Sequence, residues 1–489
     1  MKNIMLIGAG PHSRRIHIPI LDSIKNQYNY VINSIVDLQS QKETIEKYLV
    51  DNKRNIKERI YLSEDESKIK NNKLTSSLIK KLDIIVKENK IDAIFICTEP
   101  SSHVAYAIWG LNNGLHILMD KPISTPTNLS NSTKSIKQIN KDYAILHKLY
   151  LKQKKKYPNL VFELLAQRRY HAAFVKIKEL IDEVTQKTGV PITSFQTTHC
   201  DGQWRMPKEI IEQNYHPYNQ GYGKCSHSGY HSIDIINWLV MSSIKNEKQF
   251  PHNIEIFSNF MYPKDFINQL PFENYIKMFD SSEMLGYNIS DYIKKTKNFG
   301  EIDAQISITY KNKYNQITTI GQWNLLHNSF SQRNWPTAVG KDLYKGNGRI
   351  RHELHYIVQG PFQTIIFESY QSEEILNKNT NNSNIGGEYH LDIHVFRNSK
   401  MFNNWKSYTK ITIDDLQNSI LRGYSRGHQE DARRLAIISF LKSIDDNEIK
   451  RLSDIEDHKL STEILSSIYK SAYLRKKNKN SLIKLKVKK

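Results

Sequence analysis

The stretch GAGPHSRRIHIPIL, residues 8–21, decides how the N-terminal part of this chain folds. It follows Asn3 to Ile7, a short apolar run without helical period that ends abruptly at glycine, as buried parallel strands do. Gly8 and Gly10 match the first two glycines of GxGxxG, and Ser13 stands at the third position. In that motif one glycine makes a tight turn, and another lets the backbone approach a pyrophosphate at a helix N-terminus. Strand, glycine turn and amphipathic segment together predict a dinucleotide-binding Rossmann-like domain.

The next apolar run, YVINSIV, ends at Asp37, where dinucleotide-binding folds place an acid that binds the adenosine ribose hydroxyls. Because this carboxylate would repel a 2'-phosphate, the sequence favours NAD as the cofactor. NADP stays open, since the guanidinium groups of Arg14 and Arg15 beside the glycine turn are suited to phosphate. We predict cofactor contacts from Gly8, Gly10, Ser13, Arg14 and Asp37.

A strand–helix–strand unit is predicted within residues 91–122, IDAIFICTEPSSHVAYAIWGLNNGLHILMDKP. The first strand covers residues 93–97, and the helix runs from about residue 103 to residue 112, where Asn113 and Gly114 end it. A second strand ends before Asp120, Lys121 and Pro122. In a right-handed parallel unit of this kind, the loops that follow the strands lie at the carboxyl edge of the sheet.

These residues resemble the Gfo/Idh/MocA family, named for glucose-fructose oxidoreductase, inositol dehydrogenase and rhizopine catabolism. Thr98, Pro100 and His103 match the family's Thr-Pro turn and histidine, and Asp120-Lys121-Pro122 matches its Glu-Lys-Pro tripeptide with Asp in place of Glu. The resemblance implies that Lys121 is the active-site lysine close to the nicotinamide and the substrate oxygen. It also implies that Thr98, Pro100, His103 and Asp120 line the cofactor site.

A second family motif is similar to HPYNQGYGKCSHSGYHSIDIINWL, residues 216–239. The family has three glycines, three further residues, Asp-x-Gly-x-His and then an acid. The alignment places Gly221 and Gly223 on two of the glycines and Asp234 on the final acid. It implies that His231 is the acid/base residue, whereas His227 stands where the family has its catalytic Asp. Three roles stay open for His227: hydrogen bonding, proton relay, or the mark of a protein that has lost the reaction.

We predict two domains, a Rossmann-like domain at residues 1–170 and an α+β domain at residues 171–489. In the second, period-two segments such as AQISITY and ITTIGQWNLL indicate a large open, mostly antiparallel sheet, followed by C-terminal helices and a basic tail from residue 475. Residues 248–300 and 371–388 are interpreted as long insertions. Side chains of types that bind polyols give the predicted substrate contacts Arg168, Tyr170, Trp204 and Lys224, with Tyr218 as a further candidate.

The charge and apolar patterns disfavour several other classes of protein. The net charge of +20 comes mostly from scattered Lys, which indicates a solvated surface and not a nucleic-acid site. Without a run of about 18 apolar residues or a signal-peptide core, we expect a cytoplasmic protein without a membrane segment. Three cysteines without a CxxC pair suggest reduced thiols. We expect no metal, because His227 and His231 lack the glutamate of the zinc-protease pattern and only Cys225 is a nearby ligand.

The sequence therefore predicts an NAD(P)-dependent oxidoreductase of carbohydrate metabolism that acts on a sugar, cyclitol or sugar derivative. The net positive charge is compatible with a substrate that carries an anionic group. The resemblance implies a homo-oligomer formed through the C-terminal sheet. Three alternatives stay open: a redox-assisted glycosidase that retains NAD, a non-catalytic dinucleotide-binding regulator, and a polyanion-binding protein.

Overall fold

The computed structural model describes residues 2–213, 216–279, 286–331, 350–372, 383–387, 389–420, 428–446 and 448–487. The chain forms two compact units. The first consists of Met1–Pro126, Gln138–His171 and Gln429–Thr462, and the second of Thr127–Lys137, Ala172–His428 and Glu463–Lys489. The chain passes from the first unit to the second next to residue 170, where we placed the domain border. It also passes between the units at four further points, which a division into two continuous domains does not contain.

Six strands among the described residues form a parallel sheet in the first unit, in the order β3-β2-β1-β4-β5-β6. They are β1 (Lys2–Ile7), β2 (Tyr30–Leu38), β3 (Glu58–Leu62), β4 (Ile91–Ile96), β5 (His116–Met119) and β6 (Phe162–Leu164). This is the doubly wound order, in which the chain reverses direction of winding between β1 and β4. Ligands of such sheets bind beyond the carboxyl ends of the strands at that point. The predicted Rossmann-like fold is confirmed.

Helices cover this sheet because apolar stripes on them pack against the buried strands. In the first two segments of the unit they are α1 (Ile18–Tyr28), α2 (Lys42–Asp51), α3 (Glu64–Ser67), α4 (Ser76–Glu88), α5 (Pro100–Asn112) and most of α6 (Thr133–Lys156). Leu78 and Leu82 of α4 illustrate the stripe, since both are fully buried. The long helix α6 ends in three consecutive lysines, and Tyr143, Leu146 and Tyr150 lie on its buried face.

The second unit contains a sheet of nine described strands, in the order β14-β13-β12-β11-β7-β10-β9-β8-β15. Neighbouring strands are antiparallel except for β7 and β10, which confirms the predicted open, mostly antiparallel sheet. The strands are β7 (Ser194–Cys200), β8 (Asn253–Met261), β9 (Asp303–Lys311), β10 (Ile317–Leu326), β11 (Ile350–Gln359), β12 (Gln363–Ser372), β13 (Asp392–Arg397), β14 (Tyr408–Thr412) and β15 (Ile483–Lys486).

The remaining helices belong mainly to the second unit, apart from α14 and the first turn of α15. They are α7 (Ala172–Thr188), α8 (Pro207–Glu212), α9 (Tyr230–Ser242), α10 (Pro263–Gln269), α11 (Phe272–Phe279), α12 (Ile289–Thr296), α13 (Ile413–Ile420), α14 (His428–Asp445) and α15 (Lys459–Lys476). Within the described ranges, none of the helices has both the length and the hydropathy required to cross a bilayer.

Two segments differ from their sequence interpretation. Residues 248–300, interpreted as an insertion, contain the sheet strand β8 and the helices α10 to α12, whose aromatic side chains build small cores of their own. The basic tail includes β15, which pairs with β8 through Ile483 and Ile256 because apolar residues alternate with its lysines. Of the other interpreted insertion, residues 371–388, the larger part lies outside the described residues.

Candidate active site

The glycine turn between β1 and α1 has the geometry that a pyrophosphate needs. Gly8 has φ +95°, and a Cβ there would lie 2.6 Å from the carbonyl oxygen of Cys97, so only glycine fits without strain. A Cβ on Gly10 would meet no atom within 4 Å, which leaves open space beside the backbone. The turn leads into the helical segment Ser13–His17 and then α1, and helix N-termini that follow such a turn are sites at which proteins bind anions. The residues present therefore fit a dinucleotide.

Asp37 lies beside this turn at the carboxyl end of β2. Its Oδ2 accepts the Ala9 N–H at 2.6 Å, and its Oδ1 accepts the Leu38 N–H at 2.7 Å. Burial raises the pKa of Asp37, while these hydrogen bonds and the charge of Arg14 oppose that rise. Arg14 is directed back onto the turn, where its Nη1 donates to the Ala9 carbonyl at 2.9 Å. The acid is thus held next to the glycine turn, as ribose recognition requires.

The other predicted cofactor residues support the loops after β1 and β4. Ser13 Oγ donates to the Gly8 carbonyl at 2.7 Å and is buried. Pro100 begins α5, and Thr98 Oγ1 lies 2.6 Å from Ser102 Oγ. His103 is fully buried, with its ring nitrogens 2.9 Å from the Pro122 carbonyl and 3.0 Å from the Thr98 carbonyl. His103 therefore connects the loop after β4 to the Asp120-Lys121-Pro122 segment, a structural role in building the site.

Lys121 follows β5 and is half-buried near the glycine turn. Burial lowers the pKa of both His12 and His103, and the positive charge of Lys121 lowers both further. Asp120 lies 3.6 Å from His17 Nε2. The structure therefore brings Lys121 and Asp120 to the same edge of the sheet as the glycine turn.

His12, His17 and Asp120 are the single group among the described residues whose spacing would suit a metal ion, with all three ligand atoms within 4.8 Å of one another. Arg433, Arg15 and Lys121 are close enough to His12 to lower its pKa, so the surroundings are cationic. Such surroundings disfavour a divalent ion. Burial lowers the pKa of His17, so the 3.6 Å contact of its Nε2 with Asp120 is one between a neutral imidazole and a carboxylate. His227, His231 and Cys225 do not form a group of this kind.

The two histidines of the second motif lie on consecutive helical turns. His227 belongs to a π-helical turn, Cys225–Gly229, and His231 to the first turn of α9. The turn packs tightly against the segment before β9, since a Cβ on Gly223 would lie 1.8 Å from the Glu301 carbonyl oxygen. His227 is buried, and rings surround it with centroids at 4.7 Å (His216), 5.5 Å (Tyr222), 5.9 Å (His327) and 6.0 Å (Tyr218). His231 is half-buried.

Lys224, predicted as a substrate contact, is fully buried and forms an ion pair with Asp201. Its Nζ also lies 2.9 Å from His199 Nδ1. Asp201 Oδ2 in addition accepts the Ser228 hydroxyl at 2.6 Å and lies 3.4 Å from His327 Nε2. The charge of Lys224 is therefore balanced within the protein, which makes it a structural cation of the second unit.

The remaining predicted substrate contacts are largely packed in their own units. Tyr170 lies in the core of the first unit and donates its hydroxyl proton to Glu163 at 2.9 Å, and Arg168 is buried beside it. In the second unit, Trp204 is partly buried against Tyr275, and Tyr218 is fully buried under the guanidinium of Arg205. These positions favour packing roles over direct recognition of a ligand.

Three polar residues near His227 escaped the sequence analysis: Asp201, His327 and Glu301. Burial raises the pKa of Glu301 to about 7 and that of Asp303 to about 6, whereas burial and Lys224 lower the pKa of His327. Each of the three follows or precedes a strand at a long sequence distance from the histidine motif. Two of them carry a local signal, since Asp201 directly follows β7 and His327 directly follows β10 as an ionisable residue at a strand end.

Comparison with known proteins supports this assignment of the first unit. Residues 2–147 match the sequence model of an oxidoreductase family with an NAD-binding Rossmann fold, Gfo/Idh/MocA. None of the curated proteins matches the sequence. The matched range includes the glycine turn and the Asp-Lys-Pro segment, and the match confirms the predicted resemblance and the predicted NAD-binding domain.

Solved structures resemble the whole chain. An aldose-aldose oxidoreductase from Caulobacter crescentus has a TM-score of 0.57 at 10% identity, with 99% of each chain covered. Levoglucosan dehydrogenase has a TM-score of 0.58 at 13% identity, covering 100% of this chain and 99% of the other. Scyllo-inositol dehydrogenase from Lactobacillus casei has a TM-score of 0.52 at 14% identity, covering 99% and 98%. At these identities the likeness shows a common two-part fold. Residues 2–147 are thus similar to the NAD-binding Rossmann-fold domain of the Gfo/Idh/MocA oxidoreductase family.

Proposed function

We propose that this protein is an NAD-dependent oxidoreductase that transfers a hydride at a hydroxyl or keto carbon of a sugar, cyclitol or sugar derivative. The observation that carries the proposal is the arrangement of Gly8, Gly10 and Asp37 within the matched NAD-binding domain. Structural neighbours with the same two-part fold include dehydrogenases of levoglucosan and scyllo-inositol, which supports a polyhydroxylated substrate. NAD is favoured over NADP because the Asp37 carboxylate, at the end of β2, would repel a 2'-phosphate.

NAD, when bound, supplies the acceptor for a hydride. In the oxidative direction the substrate carbon loses a hydride and its hydroxyl loses a proton, which yields a carbonyl, NADH and a released proton. Lys121 donates a hydrogen bond to the reacting oxygen and stabilises the negative charge that develops on it. His231 accepts the hydroxyl proton, for which an imidazole is suited at neutral pH. Reduction uses the same residues in the reverse order.

His227 is the third catalytic candidate. Its imidazole occupies the family's Asp position, and the surrounding rings hold it in place. It orients the reacting groups as a hydrogen-bonding residue and does not supply a fixed negative charge. A non-catalytic regulator that binds NAD is the second candidate function, and this substitution is the observation that favours it.

Other features follow from the same assignment. Trp204 and Arg168 remain candidates for substrate contact, although burial favours packing roles for them and for Tyr170, and Lys224 is already paired. An anionic sugar derivative is the substrate class that the excess of Lys and Arg would attract. The open sheet of the second unit is the surface through which copies of the chain associate, and the protein acts in the cytoplasm in carbohydrate metabolism.

Two measurements test the proposal. Titration with NADH and with NADPH, followed by nucleotide fluorescence, should give tighter binding of NADH. Incubation of the protein and NAD⁺ with sugars, cyclitols and nucleotide sugars should then produce NADH with at least one class. Binding of NADH without turnover on any class would favour the regulator, and absence of binding to either nucleotide would refute both functions.

A further inference from the structure

The carboxylate of Asp201 is the centre of a buried polar network in the second unit. Asp201 follows β7 and is 3% exposed. Lys224 and the Ser228 hydroxyl donate to its Oδ2, and His327 Nε2 lies 3.4 Å from the same oxygen. Ser228 is the residue next to His227, so this carboxylate is fixed directly to the turn that carries the histidine at the family's Asp position.

His327 connects this carboxylate to two further side chains. Its Nε2 faces Asp201, and its Nδ1 lies 2.6 Å from the Tyr218 hydroxyl. A phenol at neutral pH keeps its proton, so Tyr218 donates and Nδ1 accepts. The proton of the neutral imidazole then resides on Nε2 and points at Asp201. The order carboxylate, imidazole, hydroxyl follows the same logic as the triad in which an acid fixes the tautomer of a histidine.

The ring of His327 also stacks on His227, with centroids 5.9 Å apart and an angle of 22° between the planes. We propose that Asp201 is a positioning residue of this site: it fixes the tautomer of His327 and, through that ring, the Tyr218 hydroxyl and the ring of His227. This inference rests on the proposed function, because it concerns proton transfer at the same site. In this arrangement the carboxylate of the site comes from the end of β7, and His227 stands at the position where the family has its Asp.

Charged and titratable groups from several elements face His327. They are Asp201, Lys224, Arg205, His216, Tyr218 and His227, together with Asp303, which accepts the His327 backbone N–H at 2.7 Å. The set contains two cations, Lys224 and Arg205, and two carboxylates, Asp201 and Asp303. Burial and the charge of Lys224 lower the pKa of His327, so its imidazole stays neutral. The Asp201 carboxylate is the negative charge nearest to the His327 ring, and its removal would leave the Lys224 cation without its partner.

A charge-matched pair of variants tests the role of Asp201. Asp201→Asn alone leaves Lys224 positive, whereas Asp201→Asn with Lys224→Met removes both charges. For Asp201→Asn we expect the acidic limb of the pH profile of kcat/KM to move to lower pH by about 1 unit, because a base near an uncompensated cation binds its proton less tightly. If Asp201 acts by fixing His327, the pH profile of kcat/KM of the double variant also differs from that of the wild-type protein. A return of the double variant to the wild-type profile would overturn the proposal.

A second readout needs no turnover. The ¹⁵N spectrum of histidine-labelled protein reports which ring nitrogen carries the proton, and His327→Gln identifies the His327 signal by its loss. We expect the Nε2–H form in the wild-type protein and a mixture of both forms in Asp201→Asn. A His327 in the Nδ1–H form, or an unchanged form in Asp201→Asn, would overturn the proposal. Absence of turnover together with the expected spectra would instead refute the proposed function.

Discussion

The glycine turn of the first unit and the Asp201 network of the second unit are assembled in opposite ways. Gly8 and Gly10 follow β1, and Asp37 lies at the end of the neighbouring parallel strand β2, within 30 residues of them in the sequence. Asp201 and His327 come from the ends of β7 and β10, and neither belongs to a motif. The difference shows that a glycine turn can be recognised from neighbours in the sequence, whereas the Asp201 network depends on which strand ends the second sheet brings together.

The largest expected effect is that of Lys121→Ala on turnover. Loss of the cation that stabilises developing oxyanion charge should lower kcat/KM by about 10²–10⁴-fold. NADH binding should change little, because the glycine turn and Asp37 remain. Lys121→Arg keeps the charge with a different geometry and should retain part of the activity. Steady-state kinetics with a nucleotide titration check this, and full activity of Lys121→Ala would contradict the assignment of that lysine.

Two substitutions in the second unit, His231→Ala and His227→Asp, test the roles of its two motif histidines. His231→Ala should lower kcat/KM by about 10²–10⁴-fold, since it removes the proton acceptor. His227→Asp should change kcat by less than about tenfold, because Asp201 already supplies a carboxylate to the network. A large gain in kcat for His227→Asp would mean that the acid is truly missing from this chain and that Asp201 does not replace it.

Two glycine substitutions in the first unit separate folding from binding. Gly8→Ala should lower the free energy of unfolding by about 2–4 kcal/mol, because a Cβ at φ +95° meets the Cys97 carbonyl at 2.6 Å. Gly10→Ala meets nothing within 4 Å and should leave stability unchanged, yet weaken NADH binding by filling space beside the backbone. Thermal unfolding with and without NADH measures both. Equal loss of stability in the two variants would contradict this account of the turn.

The smallest effect concerns the buried acid Glu301. Its pKa is raised from 4.5 to about 7 by burial, and its Oε2 accepts no hydrogen bond from the described residues. The unfolded chain therefore loses this proton at lower pH than the folded chain, so stability falls as pH rises from about 4.5 to about 7. Glu301→Gln keeps the acceptor for Tyr469 and Cys225 and should stabilise the protein by about 1–2 kcal/mol at about pH 8. Near pH 4.5 the two proteins should unfold alike. A constant difference between those two pH values would exclude Glu301 as its source.

Local patterns were sufficient for the parts of the fold and site that depend on neighbours in the sequence. The apolar run before Gly8, the position of Asp37 and the alternation of β9 and β10 predicted the strands and the turn, because period and breaker residues determine such elements. The Asp-Lys-Pro segment needed the family resemblance, since a lysine at a strand end is otherwise ordinary.

Contacts between residues that are distant in the sequence could not be predicted from local patterns. Burial of Lys224 depends on Asp201, which belongs to another element, and a lone lysine near a glycine motif looks the same whether it binds a ligand or an internal carboxylate. Tyr170 looked like an aromatic ligand contact until Glu163 appeared as its partner. β15 was concealed by its lysines, because the charge of the tail is stronger than the short alternation of Ile483 and Leu485.

Direct hydride transfer can be tested by following deuterium from the substrate carbon to the nicotinamide ring. A sugar or cyclitol carrying deuterium on its carbinol carbon is incubated with the wild-type protein and NAD⁺, and the reduced nucleotide is analysed by mass spectrometry. We expect one deuterium on the nicotinamide ring and none released to water, with the signal lost in Lys121→Ala. Reduced nucleotide without deuterium, or no reduced nucleotide with any member of the panel, would contradict it.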